Sequence, residues 1–258
     1  MTILDKILEQ KILEVAQRKQ QKSVVILEEE PFFSRKCISL KTNLLNSTSG
    51  ILSEFKRKSP SKGWIHPNAD VLEITKGYSE AGASGISILT DFPFFGGSPA
   101  DLISARSDLN CPILRKDFVI DEYQLFEAKA MGADVILLIA AALTPVKTKM
   151  LAKQAQSLGL EVLLEVHNRE ELKNINEYVD MLGVNNRNLK TFEVSIEISK
   201  ELAKFIPEEF VKLSESGISS VETVRELREY GYNGFLMGEN FMKEKNPGDA
   251  LKRFIEDL

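Results

Sequence analysis

Residues 132–143 read GADVILLIAAAL: two small residues and an acid, then five aliphatic side chains, then small residues again. An apolar run of this length without polar alternation reads as a strand covered on both faces, the condition of a parallel strand in an α/β protein. Residues 232–242, YNGFLMGENFM, repeat the form near the C-terminus. Working outward from these two, strands are expected near 50–56, 84–89, 112–116, 134–139, 161–166, 181–185, 210–214 and 234–238. Amphipathic segments at 69–82, 98–108, 121–131, 145–158, 168–177, 193–204, 219–230 and 248–257 lie between and after them, several opening at Asp, Ser or Thr caps. Regular strand–helix alternation requires parallel strands joined by right-handed crossovers, and eight such units can close on themselves. The expected fold is therefore α/β, a (β/α)8 TIM barrel. An open doubly wound sheet is the alternative that the pattern leaves.

With 258 residues, 43% of them hydrophobic, the chain suits one large core, and residues 1–258 are expected to form a single domain. Ile3, Leu4, Ile7, Leu8, Ile12 and Val15 fall at helical spacing within 3–20, so residues 1–48 are expected as an N-terminal helical extension outside the repeat. Its length and apolar stripe suit capping the barrel, supplying part of a substrate mouth, or self-association. The 33 basic and 38 acidic residues form no isolated basic stretch, which argues against nucleic-acid binding. The N-terminus, MTILDKILEQKILEVAQRK, is charged throughout, and no run approaches the roughly twenty apolar residues of a membrane span. No signal peptide or membrane segment is expected. Cys37 and Cys111 lack metal-ligand spacing and read as free, partly buried thiols in a reducing cytoplasm.

Polar residues interrupt the strand ends on the inward face. In ILSEFKRKSPSKG (51–63), Leu52, Glu54 and Lys56 share one side; Lys116 shares the side of Leu114, Glu165 that of Leu163, and Glu215 that of Leu213. Asn185 and Arg187 follow the sixth strand. Any one of these could be a structural ion pair, but all of them converge where barrel enzymes place their chemistry, at the C-terminal ends of the strands. Two lysines and three glutamates in a closed mouth suit acid–base work, because burial and mutual charge move their pKa values. No metal is called for, and the two histidines, His66 and His167, read as loop residues. SESGI (214–218) and MGEN (237–240) put glycine and backbone N–H groups just past the last two strands, where barrels often hold phosphate. A small, phosphorylated substrate follows.

The chain resembles the indole-3-glycerol phosphate synthase family over nearly its whole length. The resemblance rests on ILSEFKRKSPSKG, SILTDFPFFGGS, CPILRKDFVIDEYQ, GADVILLIAAAL, LLEVHNREEL, LGVNNRNLKTFEV, SESGI and FLMGENFM in the family's order, the first and third being the most specific. It implies a lyase of tryptophan biosynthesis. Its substrate would be 1-(2-carboxyphenylamino)-1-deoxyribulose 5-phosphate, closed to an indole with loss of carbon dioxide and water, without organic cofactor or metal. By the same resemblance Lys116 is the general acid, Glu165 assists proton removal and dehydration, and Lys56 with Glu54 holds the substrate carboxylate and supports proton transfer. Asn185, Arg187, Glu215 and Ser216 match further substrate-contacting positions, Asn185 being counted with the catalytic group. Ser216, Gly217, Gly238 and the backbone of Glu239 match the phosphate site. Ser59 and Ser61 match the mobile loop after the first strand, and Phe95, Phe118, Leu137 and Leu189 match the apolar wall around the anthranilate ring. Two positions depart from the family's commonest form: His167 stands where asparagine or serine is frequent, and Glu239 where serine is. The second departure is the one expected to matter, since Glu239 must turn its carboxylate away and leave its N–H for phosphate. A monomer or weak homodimer is expected, with possible association with other tryptophan-pathway enzymes, and no fused isomerase domain.

Other phosphosugar barrels, such as phosphoribosylanthranilate isomerase, the tryptophan synthase α-type lyase or a Schiff-base aldolase, do not account for Lys56 and Lys116 together with SPSKG. A non-catalytic barrel serving as an assembly subunit would be expected to have lost at least one of Glu54, Lys56, Lys116 and Glu165, and all four are present.

Overall fold

A computed structural model describes residues 2–189 and 191–258. Eight strands, β1 (Ile51–Phe55), β2 (Gly85–Leu89), β3 (Ile113–Lys116), β4 (Val135–Ile139), β5 (Glu161–Val166), β6 (Met181–Asn185), β7 (Val211–Glu215) and β8 (Tyr232–Met237), form a closed barrel in sequence order. Every neighbour pairs in parallel, and β1 pairs with both β2 and β8, so the open-sheet alternative is set aside. In chain order the helices are α1 (Ile3–Gln21), α2 (Val24–Glu28), α3 (Leu40–Asn46), α4 (Val71–Glu80), α5 (Phe92–Phe95), α6 (Pro99–Asp108), α7 (Tyr123–Met131), α8 (Pro145–Ser157), α9 (Glu197–Ala203), α10 (Val221–Glu229), α11 (Glu239–Met242) and α12 (Pro247–Glu256). Among the described residues no helix is long and apolar enough to cross a membrane.

Alternation along each strand sorts two cores. Leu52, Leu114, Leu137, Leu163, Leu213 and Leu236 meet inside the barrel, while Ile86, Ile136, Leu164, Val184 and Phe235 point outward against the helices. Leu40 and Leu44 of α3 enter the inner cluster from the N-terminal end and close it there. Glu161, at the start of β5, fixes this plug by accepting from the amides of Leu40 (2.8 Å) and Lys41 (3.1 Å), capping the helix start. Its inward neighbour four residues on is Glu165, at the opposite mouth.

Three expectations need correction. The segment 168–177 forms a short 3-10 turn, Arg169–Asn174, in place of a full amphipathic helix. The segment 193–204 supplies only α9, because Val194 is drawn back into an antiparallel bridge with Arg187 and Phe192 adopts a left-handed φ of 62°. Finally, Ile12 of the proposed apolar stripe is 58% exposed, and the buried face of α1 is centred on Lys11 between Ile7 and Val15. Lys11 Nζ lies 2.8 Å from Asp91 Oδ2 and 2.9 Å from Asp117 Oδ1, so α1 is seated by carboxylates as well as by hydrophobic contact. Cys37 and Cys111 are unpaired and partly buried.

Candidate active site

At the C-terminal mouth of the barrel lies a cavity of about 600 Å³. Lys116, Glu165, Lys56, Glu54 and Asn185 line it, as do Glu215, Ser216 and Arg187. Ser59 and Ser61 reach it from the loop after β1, Gly217, Gly238 and Glu239 from the last two strand ends, and Phe95, Phe118, Leu137 and Leu189 from the apolar side. Residues scattered over 186 positions of sequence thus face one space, because most sit at or just past the C-terminal end of a strand.

Lys116 occupies the centre. Its ammonium donates to Glu215 Oε2 at 3.1 Å and approaches Glu165 Oε2 at 3.4 Å, with the lysine side chain only 14% exposed. Burial would lower its pKa, but the carboxylates of Glu215, Glu165 and Glu54 overrule this and raise it. Glu54 pairs with Lys56. Burial pushes Glu54 up, yet the ammonium groups of Lys56 and Lys116 hold it below the ordinary range. Glu165 is likewise driven up by burial and more strongly down by Lys116, by the His167 ring and by the Asn185 side chain. Glu215 is the exception. Burial and the neighbouring Glu165 and Glu54 outweigh Lys116 and push it up to about 7. Three carboxylates are therefore split by their surroundings: two are held ionised and one can exchange a proton near neutrality.

Local sequence explains how Glu215 is held. A Cβ at Gly183 on β6 would fall 2.3 Å from Glu215 Oε1, so only glycine leaves room for that carboxylate across the barrel floor. Beyond it, Ser216 and Gly217 have φ of 66° and 74°, a left-handed pair that turns the chain sharply at the mouth. Asn185 Oδ1 accepts from the amide of Arg187 at 3.0 Å, fixing the turn after β6.

The N-terminal extension supplies part of the mouth, one of the roles its apolar stripe suited, while Lys243 was not singled out in the sequence. Ile3, Leu4 and Ile7 of α1 contribute to the apolar wall, and Lys62 and Lys243 add cations near the Gly217–Gly238 end. Lys62 was legible as part of SPSKG, whereas the placement of α1 depends on tertiary docking. Glu239 turns its carboxylate toward Lys62, with 3.9 Å between Oε1 and Nζ. His167 lies in the loop after β5, as expected, but its ring is turned inward against two carboxylates. Its side chain is 9% exposed, its Nε2 lies 3.2 Å from Glu165 Oε1, and its Nδ1 lies 3.2 Å from Glu171 Oε2.

Residues 4–254 match the family described as indole-3-glycerol phosphate synthase. The indole-3-glycerol phosphate synthase of Bacteroides thetaiotaomicron is 52% identical over 256 residues, covering 99% of this chain and 98% of that protein. That of Legionella pneumophila strain Paris is 39% identical over 259 residues, covering 99% of each. Among solved structures, the tryptophan synthase α subunit of Legionella pneumophila superposes with a TM-score of 0.62 at 14% identity, over 85% of this chain and 98% of that one. KGPDC from Streptococcus mutans superposes with a TM-score of 0.60 at 14% identity, over 81% and 97%. At such identities these structures speak for the barrel alone.

Proposed function

The chain belongs to the indole-3-glycerol phosphate synthase family, and we propose that the buried acid–base set at its mouth divides the family's reaction between Lys116 and Glu165. The enzyme is a carboxy-lyase of tryptophan biosynthesis and takes a small phosphorylated substrate. In the proposed sequence the ring carbon bearing the carboxylate attacks the ribulose carbonyl while Lys116 protonates the carbonyl oxygen. Carbon dioxide then leaves that ring carbon and restores aromaticity. The new hydroxyl takes a proton from Lys116, recharged by Glu215, and departs as water as Glu165 takes a proton from the carbon next to nitrogen, which completes the indole.

The observation that supports this reading best is the Lys116 ammonium held between Glu215 and Glu165 on the cavity floor. Three carboxylates keep it protonated, as an acid requires. Glu215, poised near 7, can return a proton to Lys116 after ring closure. Lys56, held by Glu54, is assigned to the substrate carboxylate, with Asn185, Arg187 and Ser216 as further contacts. Ser59 and Ser61 close the mouth from the β1 loop. Phe95, Phe118, Leu137 and Leu189 enclose the anthranilate ring. Phosphate is assigned to the Ser216–Gly217 and Gly238–Glu239 backbone, where Lys62 and Lys243 supply complementary charge. On the same reading the chain acts in the cytoplasm as one domain, as a monomer or weak homodimer that can associate with other tryptophan-pathway enzymes. The test is conversion of the carboxyphenylamino-deoxyribulose phosphate to an indole-fluorescent product. Lys116→Ala should lose about a hundred-fold or more in kcat, the usual scale of a positioned acid, and wild-type turnover in that variant would move the acid elsewhere.

A further inference from the structure

We propose that His167 is a positioning residue: its ring holds one oxygen of Glu165 so that the other stays turned toward Lys116, and Glu171 fixes the ring from behind. The inference rests on the reading of Glu165 as the acid–base group. It begins from a line of contacts. Glu165 presents Oε2 to Lys116 at 3.4 Å and Oε1 to His167 Nε2 at 3.2 Å, so its two oxygens face different cations. His167 does not line the cavity; it stands behind Glu165, at the first position after β5.

Glu171 is tied to this ring twice. Its Oε2 accepts from the His167 amide at 2.8 Å and lies 3.2 Å from Nδ1. Its other oxygen accepts from Asn168 Nδ2 at 2.7 Å, while the Glu171 amide donates back to Asn168 Oδ1 at 3.1 Å. The 3-10 turn that replaces the expected helix therefore delivers a carboxylate to the far side of the imidazole. Nδ1 lies within hydrogen-bond reach of Glu171, and Nε2 lies 3.2 Å from Glu165 Oε1 without an aligned hydrogen bond, so the ring meets a carboxylate on each side and their charge favours its doubly protonated form. The charged groups that face it are Glu165 on β5 and Glu171 on the turn, with Lys116 on β3 and Glu215 on β7 beyond Glu165. Burial would lower the ring's pKa, but the two flanking carboxylates push it up to about 10.

The test compares the pH dependence of kcat for wild type, His167→Asn, Glu171→Gln and Glu165→Gln from neutrality to about pH 10, with the His167 ring followed by NMR in parallel. Only two histidines are present, so assignment is direct. In wild type, activity should fall as the ring loses its proton at the alkaline end. Removing the Glu171 charge lowers the ring's pKa, so in Glu171→Gln both the NMR titration and the activity limb should move toward neutrality by about one pH unit or more. In His167→Asn, which keeps a donor without charge, that limb should vanish, kcat at neutrality should fall about ten-fold, and KM should change less than about two-fold. An alkaline limb that is the same in wild type, Glu171→Gln and His167→Asn would overturn the proposal, even if both variants lost thermal stability. Wild-type turnover in Glu165→Gln would overturn the acid–base reading and the proposal with it. An inactive Glu165→Gln beside an unmoved limb would overturn the proposal alone.

Discussion

Replacing Lys11 by methionine should destabilise the fold by about 3 kcal/mol while keeping the side chain's volume. Lys11 is fully buried and bridges Asp91 and Asp117, themselves 1% exposed. Breaking a buried ion pair from one side typically costs about 3–5 kcal/mol, because the remaining charge is stranded. The two carboxylates are not equally stranded. Asp117 keeps Arg115 Nη2 at 3.0 Å and Thr90 Oγ1 at 2.7 Å, whereas Asp91 keeps only the Phe94 amide at 3.0 Å. One orphaned acid points to the lower end of the range. For a chain of this length that corresponds to a fall of about 6 °C in Tm, taking about 2.1 cal/mol/K of unfolding entropy per residue. Burial already raises Asp91 against the opposing effect of Lys11, and loss of Lys11 raises it further. A carboxyl raised in the folded state binds its proton more readily there. Its penalty is therefore complete above the folded pKa and is relieved as pH falls through it. Urea and thermal denaturation followed by circular dichroism should give a larger gap between wild type and Lys11→Met at about pH 8 than at about pH 5, and adding Asp91→Asn should recover more than half of it. A loss under about 1 kcal/mol, the scale of an exposed pair, or a gap independent of pH, would refute the reasoning.

Further outcomes separate the two ends of the barrel. Gly183→Ala places a methyl against Glu215 Oε1, so kcat should fall about a hundred-fold, the scale of a displacement near 1 Å, while the circular dichroism spectrum is kept. Leu44→Ala empties part of the plug at the opposite end and should lower stability by about 2–5 kcal/mol in denaturant titrations, leaving kcat and KM at 25 °C unchanged. Glu215, raised to about 7, is ionised above that pH at the expense of the folded state. Glu215→Gln should thus gain Tm relative to wild type more at about pH 8.5 than at about pH 6, and lose activity at both.

The fifth and sixth strands were legible because each ends in a polarity break. The expected 181–185 matches Met181–Asn185, and 161–166 matches Glu161–Val166, with Asn185 and Glu165 marking where apolar run meets mouth. The parity of Glu54, Lys116, Glu165 and Glu215 was readable for the same reason, since strand alternation is a local property. What was not readable depends on contacts remote in sequence. Counting apolar positions on α1 favours Ile12, but the carboxylates of Asp91 and Asp117 select Lys11, and nothing near residue 11 announces them. The shortening of the 193–204 helix follows from the Arg187–Val194 bridge, a pairing that propensity does not report. His167 is the loop residue it was read as, but its contacts were not legible, because Glu171 lies on a turn that periodicity read as helix.

The central claim is that Lys116 acts in ring closure and Glu165 in dehydration, within one cavity. Single-turnover experiments that follow carbon dioxide release and indole fluorescence together test it most directly. Because decarboxylation can occur only after closure, Lys116→Ala should lose both signals together. Glu165→Gln should release carbon dioxide and then stall before fluorescence appears. Carbon dioxide released at the wild-type rate by Lys116→Ala, or fluorescence in step with carbon dioxide in Glu165→Gln, would contradict the assignment.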